Sequence, residues 1–364
     1  MKKIGVLTLP LKGNYGGVLQ AYALITFLKK NRYDAYLVDR QWNQESNSIP
    51  YFIKKLIYHH VIIRNVKKFT TKWINPKTFK ISCQTEMQKL NKEDFYAFVV
   101  GSDQVWRAEH TLAGVGNNYF LDFITHKDIK KISYAASFGK DSIDGDKNEL
   151  SQISNLLKQF NSISVREESG VKICSEILNV EAEHVLDPVL LLHRDDYLPI
   201  IKKTIPKLKN TLTKYVLDSS NINNEIIKDI SKSLGLKIES INYNKDPKFL
   251  HKNKPLDFYN YMYPSVSSWL RGFRDADFIV TDSFHGTLFS IIFNKQFLVI
   301  GNERRGLARF NSILSKLGLI DRLITNDKPY NSSILKNEID FNKVNAILDK
   351  EKKYSMRFLL NSLQ

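Results

Sequence analysis

Two parts of this chain repeat one pattern: a short β-branched or apolar run, a turn carrying Gly, Asn, Ser or Asp, and then a run with helical spacing. Near the start, Lys3 to Thr8 reads as a buried strand and Pro10 to Gly17 as a glycine-rich turn. Gly17 to Lys30 reads as a helix, with Val18, Leu19, Tyr22, Ala23, Leu24, Ile25 and Leu28 on its apolar side, and Ala35 to Val38 as a second strand. The second half restarts it with a strand at Tyr215 to Leu217, a helix from Ile222 to Leu234 stopped by Gly235, and a strand at Lys237 to Ile241. Strands separated by a helix cannot close a tight hairpin. They cross over and pair in parallel, with helices covering the sheet. The expected class is therefore α/β, and 364 residues are enough for two such units. We set these at residues 1–195 and 196–340, with a charged helical tail, 341–364, expected to pack back on the first unit.

In open parallel sheets, ligands bind beyond the carboxyl ends of the strands, so the residues that follow each predicted strand are the candidates. Phe95 to Val100 leads into Gly101-Ser-Asp-Gln-Val-Trp106, where Asp103 and Gln104 either face a cleft or cap the next segment. After a strand at Lys131 to Phe138, Ile163 to Val165 runs into Arg166-Glu-Glu-Ser-Gly170 and a helix from Val171 to Leu178. A cation at a helix start opposes the helix dipole, so Arg166 needs an anionic partner: Glu167, Glu168 or a ligand. Val185 to Leu192 closes the first unit and Pro199 to Lys214 reads as a basic connection. A helix at Val266 to Phe273 then precedes the strand Phe278 to Thr281, which runs through Asp282, Ser283, His285 and Gly286 into an apolar helix. The free N–H groups of such a helix start welcome an anion. Gly286 would let it approach, Ser283 would cap, and His285 would set a titratable group beside it. The plainer alternative is a capped, buried helix with His285 packed in the turn. Beyond it lie a strand at Phe297 to Ile300, a basic loop from Asn302 to Arg309, and a helix from Phe310 to Leu317 ended by Gly318.

The formal charge of +16 points to anionic partners such as phosphorylated small molecules, a membrane surface or nucleic acid. Nucleic acid is disfavoured because many aromatics fall in predicted strands and core helices instead of interleaving with basic residues. Gly13, Gly16 and Gly17 do not fit the dinucleotide fingerprint, although Asp39 lies where a ribose-binding acid would follow. Tyr51 to Lys72 alternates Ile53, Leu56, Ile57, Val61, Ile62 and Ile63 with Lys54, Lys55, Arg64, Lys67, Lys68 and Lys72, without an acidic residue. It is either a basic amphipathic helix against anionic lipid or a solvated helix packed on the protein. Cys83 and Cys174 have neither metal-type nor disulfide-framework spacing, and no signal peptide or membrane-spanning run stands out, which fits a reducing cytoplasm.

Several stretches in order resemble the polysaccharide pyruvyl transferase family: Asn14-Tyr-Gly-Gly-Val-Leu-Gln-Ala, Gly101-Ser-Asp-Gln-Val-Trp106, Val165-Arg-Glu-Glu-Ser169, Leu186-Asp-Pro188, Thr281-Asp-Ser-Phe-His-Gly-Thr287, Phe289-Ser-Ile-Ile-Phe293 and the region from Arg309 to Leu319. The resemblance implies two Rossmann-like domains facing a cleft, GT-B-like, with the phosphoenolpyruvate site in the second. It also implies transfer of the pyruvyl group of phosphoenolpyruvate to two hydroxyls of one sugar, such as the 4,6 pair of galactose, in a surface polysaccharide or its lipid-linked, polyprenyl-diphosphate precursor. No cofactor or metal is expected, since phosphoenolpyruvate is a co-substrate. By resemblance His285 is the general acid or base and Asp103 assists the acceptor hydroxyl. Arg166, Ser283, Gly286, Arg309 and Arg305 meet the donor, with Arg304 in reserve. Asn14, Tyr15 and Gly16 line the acceptor side. Where some relatives place a cation just before the histidine motif, this chain has Asp282 and Ser283, so Arg166 and Arg309 carry more weight and domain closure is expected to unite them. The runner-up, a GT-B glycosyltransferase using a nucleotide sugar, calls for an acidic pair or a ribose carboxylate in the second unit, and none stands out. The expected location is the cytoplasm, in solution or at the inner face of the membrane.

Overall fold

The computed structural model describes residues 1–41, 58–107, 117–202, 208–218, 220–242, 262–303 and 306–364. Its first sheet contains β1 (Lys3–Leu7), β2 (Asp34–Leu37), β3 (Ala97–Val100) and β4 (Lys130–Ser133), in the order β2-β1-β3-β4. Every pair is parallel. Single parallel bridges, Ile132 to Ser162 and Ala136 to Val165, continue the array to β5 (Ser164–Val165), which pairs with β6 (Glu183–His184). The second sheet is also all parallel. It orders β7 (Thr211–Tyr215), β8 (Lys237–Ser240), β9 (Phe278–Thr281), β10 (Gln296–Ile300) and β11 (Leu323–Ile324) as β11-β10-β9-β7-β8.

Two strands differ from expectation for physical reasons. The predicted basic connection up to Lys214 contains β7, which lies between β8 and β9 inside the sheet. Its threonines disguise it, yet Thr213 is wholly buried, and its Oγ1 donates to the Gly272 carbonyl at 2.8 Å, which removes the penalty of burying the hydroxyl. The strand expected through Phe138 ends at Ser133, because Ala135 adopts φ 53° and turns the chain out of the ladder.

Helix α1 (Tyr15–Lys30) is buried along most of its length, as an apolar run with almost no polar face requires. Asn14 caps it, accepting from the Gly17 N–H at 3.3 Å. Helix α2 (Arg64–Trp73) carries the described part of the basic segment. Ile62, Ile63, Val66 and Phe69 are buried in the protein core, with Phe69 edge-on to Tyr22 at 5.7 Å. The apolar stripe expected to meet lipid is thus already covered here, and Tyr51 to Ile57 lie outside the described residues.

The remaining helices that matter for the site are α3 (Glu168–Lys172), α4 (Asn221–Leu234), α5 (Val266–Asp275), α6 (Phe284–Ile292), α7 (Ala308–Lys316) and α8 (Phe341–Ser362). Helix α8 returns to the first sheet. Ser355 Oγ accepts from the Leu186 N–H at 3.0 Å, Lys352 Nζ donates to the Leu192 carbonyl at 3.2 Å, and the Tyr96 hydroxyl donates to the Gln364 carbonyl at 3.2 Å. Among the described residues, no helix is long and apolar enough to cross a membrane.

Candidate active site

The carboxyl ends of the two sheets bring the same residues together from opposite sides. After β6, Leu186-Asp187-Pro188 turns into a single 3-10 turn, and Asp187 caps it by accepting from the Val189 N–H through Oδ1 at 3.0 Å. Its other oxygen, Oδ2, accepts from Arg166 Nη1 at 2.8 Å and from Ser102 Oγ at 3.0 Å. The same Oδ2 lies 3.5 Å from His285 Nε2, within ion-pair reach though not aligned as a hydrogen bond. Burial alone would raise the Asp187 carboxyl, but His285 and Arg166 outweigh it and hold the group well below the usual carboxylate range.

His285 is the second residue of α6, and Ser283 caps that helix. Nε2 is buried against Asp187, and the other ring nitrogen, Nδ1, lies over Gly16 of α1. A methyl group built on Gly16 would come within 2.1 Å of Nδ1. On the next residue, Gly17, it would come within 3.0 Å of Asp103 Oδ2. The two glycines therefore bring the start of α1 against a histidine of one half and an aspartate of the other. Gly16→Ala should displace the imidazole and lower turnover about 10²-fold, the cost of misplacing a reacting group by about an ångström. Steady-state rates, with circular dichroism to verify folding, check this; an unchanged rate would place the reacting nitrogen elsewhere.

Asp103 holds a left-handed backbone, φ 83°, which a residue with a Cβ keeps only when its surroundings demand it. Oδ1 accepts from the Gln104 N–H at 2.9 Å, and Oδ2 faces Asn14 Nδ2 at 3.5 Å.

Two arginines flank one aromatic ring. The Arg166 guanidinium carbon is 4.7 Å from the centre of Phe284 and that of Arg309 is 5.6 Å from it. Both cations therefore stand within cation–π distance of this one ring. Burial opposes the Arg166 charge, but Asp187, Glu167 and Asp103 outweigh it and raise its pKa. Arg309 is pushed down to about 10, first by burial and then by the like charge of Arg166. Glu167 is also buried, and its Oε1 accepts from Ser137 Oγ at 2.9 Å and from the Phe138 N–H at 2.8 Å. Burial lifts its pKa despite the two arginines. Arg166 Nε and Nη2 are buried without a hydrogen-bond partner among the described residues. Unmade hydrogen bonds at buried charged groups are costly, so an acceptor brought to these two donors would stabilise the centre.

Several sequence expectations need correction. Tyr15 does not line the acceptor side: it is fully buried, stacks on Trp269 at 5.3 Å, and its hydroxyl donates to the Pro264 carbonyl at 2.6 Å. Gly286 does not open the backbone to a ligand. A side chain there would strike Thr281 Oγ1 at 2.3 Å, and its N–H already donates to Ser283 Oγ at 3.3 Å, so both residues serve the cap. Asp282 accepts from the Leu217 and Asp218 N–H groups at 2.6 and 2.7 Å, tying the end of β9 to that of β7. Arg304 and Arg305 lie outside the described residues. The centre also includes Asp187, Ser102 and Phe284, to which sequence reasoning gave no role. Their only signal was membership of the quoted motifs.

Two parallel α/β sheets whose carboxyl ends meet at a buried charged cluster define a GT-B-like protein. Residues 14–304 match the family model described as polysaccharide pyruvyl transferase, and the chain belongs to that family. No curated protein matches the sequence. Among solved structures, UDP-N-acetylglucosamine 2-epimerase from Rickettsia bellii aligns with a TM-score of 0.54 at 14% identity, covering 100% of this chain and 97% of that one. The S. aureus MnaA–UDP co-structure aligns at 0.52 and 12%, covering 99% and 97%. At such identities the likeness is one of fold.

Proposed function

We propose that this transferase moves the pyruvyl group of phosphoenolpyruvate onto two hydroxyls of one hexose, such as the 4,6 pair of galactose, in a precursor of a surface polysaccharide. The observation that carries the reading is the buried chain His285–Asp187–Arg166 with Arg309 across the Phe284 ring: one proton carrier beside two cations at the junction of the sheets. Phosphoenolpyruvate has a matching composition, with a phosphate and a carboxylate to bind and a methylene carbon to protonate.

In this reading Arg309 and the unused donors of Arg166 take the anionic groups, each charge-assisted hydrogen bond contributing roughly 1.5–3 kcal/mol. Asp187 holds Nε2 of His285, so the exchangeable proton sits at Nδ1 and passes to the methylene carbon as the first sugar oxygen bonds to the adjacent carbon. The second hydroxyl then displaces phosphate, which leaves with the carbon–oxygen bonding pair, and the two hydroxyl protons balance the added proton and the departing phosphate. Asp103, steadied by Asn14, accepts a hydroxyl proton. Phosphoenolpyruvate enters as co-substrate and no cofactor is required. The protein works in the cytoplasm, and where the acceptor is lipid-linked, the exposed Arg64, Lys68 and Lys72 of α2 rest against the anionic inner face of the membrane.

The test is incubation with phosphoenolpyruvate and a panel of hexose acceptors, following phosphate release and the mass gain of one pyruvyl ketal. Phosphate release that requires both substrates supports the reading, while release of a nucleoside diphosphate from a nucleotide sugar would replace it with the glycosyltransferase alternative. Arg309→Ala should raise the KM for phosphoenolpyruvate about tenfold or more, the equivalent of one lost charge-assisted contact. An unchanged KM would remove Arg309 from the donor site.

A further inference from the structure

Arg309 and Arg166 belong to different units, so their separation depends on how helix α7 seats on the turn after β5. Arg309 is the second residue of α7 and Ser312 follows three positions later, which puts both on one face of the helix. Both are buried. Ser312 Oγ accepts at 3.3 Å from the N–H of Glu168, the second residue after Arg166. It also lies 3.0 Å from Nε2 of His184, and the same Nε2 is 3.1 Å from the Arg166 carbonyl oxygen. A carbonyl can only accept, so Nε2 carries the ring proton and shares it between that oxygen and Ser312. Burial first, and then Lys316, lower the pKa of His184, which keeps the ring neutral with its single proton there.

A second contact seats the loop that enters α7. Gly306 has φ 80°, and a methyl group built on it would come within 2.7 Å of the Gly139 carbonyl oxygen. Gly139 is in turn held by Glu167, whose Oε1 accepts its N–H at 3.3 Å along with that of Phe138. Arg166, Glu167 and Glu168 are consecutive, so one short strip carries a donor arginine, fixes the Gly139 turn and supplies the N–H to Ser312. The second unit therefore touches the first both before and after Arg309, at Gly306 and at Ser312. Of these two contacts, the one at Ser312 is made by a side chain of α7 itself, one turn from Arg309.

Resting on the pyruvyl-transfer reading, we propose that Ser312 is a positioning residue for the donor: by accepting from Glu168 and His184 of the first unit, it sets Arg309 where it and Arg166 can hold one phosphoenolpyruvate together. Ser312 does not touch the donor and acts through Arg309. The two guanidinium carbons stand 4.7 and 5.6 Å from the centre of one ring, and a charge-assisted hydrogen bond weakens steeply once its geometry is lost. Without the hydroxyl, α7 loses both acceptor contacts to the strip, and Arg309 is no longer fixed against Arg166.

The experiment is calorimetric titration of phosphoenolpyruvate into the whole chain and into Ser312→Ala, Ser312→Thr, Arg309→Ala and the Ser312→Ala/Arg309→Ala double variant, with circular dichroism to verify folding. Ser312→Ala should raise the Kd about five- to tenfold, no more than Arg309→Ala does, the equivalent of one weakened charge-assisted contact. Ser312→Thr keeps the hydroxyl, and the cavity of about 510 Å³ that Ser312 lines leaves room for its methyl group, so this variant should bind as the native protein does. In the Arg309→Ala background the serine change should alter the Kd by less than about twofold, because the group through which it acts is gone. A Kd unchanged in Ser312→Ala, a Thr variant as weak as the Ala one, or the same loss repeated on top of Arg309→Ala would overturn the proposal. If the native protein binds no phosphoenolpyruvate, the pyruvyl-transfer reading falls and this assignment with it, so the native titration tells the two failures apart.

Discussion

Asp187→Ala is expected to destabilise the protein by about 3–5 kcal/mol, the cost of leaving a buried charge without its partner. The charge is that of Arg166, whose side chain is 1% exposed and whose Nη1 donates to Asp187 at 2.8 Å. Glu167 offers only partial replacement, since its Oε2 is 4.0 Å from Arg166 Nε. Removing Asp187 also leaves the Val189 N–H and Ser102 Oγ without the acceptor they share. Chemical denaturation at neutral pH measures the loss, and a midpoint within about 0.5 kcal/mol of the native protein would mean that Glu167 or water carries the Arg166 charge. Asp187→Asn keeps the shape and adds a pH test. Because the folded-state pKa of Asp187 is depressed, its contribution is fully present above the unfolded carboxylate value and is lost as pH falls toward the folded one. The native protein should therefore lose more stability on acidification below about pH 4 than the Asn variant.

His285→Ala should lower turnover by about 10² to 10⁴ while the protein stays folded, the range for loss of a general acid or base. The loss should appear in kcat with little change in the KM for phosphoenolpyruvate, because the proposed reading gives the donor's charges to Arg166 and Arg309, which stand beside Phe284. Phosphate release at a near-native rate would show that His285 is a packed turn residue of a capped helix. Ser283 does cap that helix, as the plainer reading of the motif expects.

The residues differ in how far the sequence could carry them. His285, Arg166 and Asp103 stood out because each polar group follows an apolar strand, and such strand ends collect ligands in parallel sheets. Arg309 and Asn14 came through the family motifs. Asp187 did not stand out, because an Asp before Pro reads as a turn residue, and it is one here. Its second role depends on Oδ2 meeting Arg166, Ser102 and His285, which come from three distant parts of the chain. Gly286 misled for the opposite reason. A glycine at a helix start suggests ligand access, whereas the space beside it is filled by Thr281 and Tyr215. β7 was placed late, at Tyr215 to Leu217, because Thr211, Thr213 and Lys214 hide a strand in which the buried Thr213 hydroxyl is satisfied only by a neighbouring segment.

By itself, the sequence determined what depends on residues close together in the chain: helices and parallel strands, glycine-rich turns, the family motifs, and a net charge that seeks anions. Such features follow from backbone sterics and the spacing of apolar side chains, both readable over a few residues. The tertiary structure alone decided that Gly16 must be bare because His285 stands over it, and that one carboxylate serves an arginine and a histidine from opposite sheets. Those are contacts between residues tens to hundreds of positions apart, and their energies turn on distances and burial that no local pattern encodes.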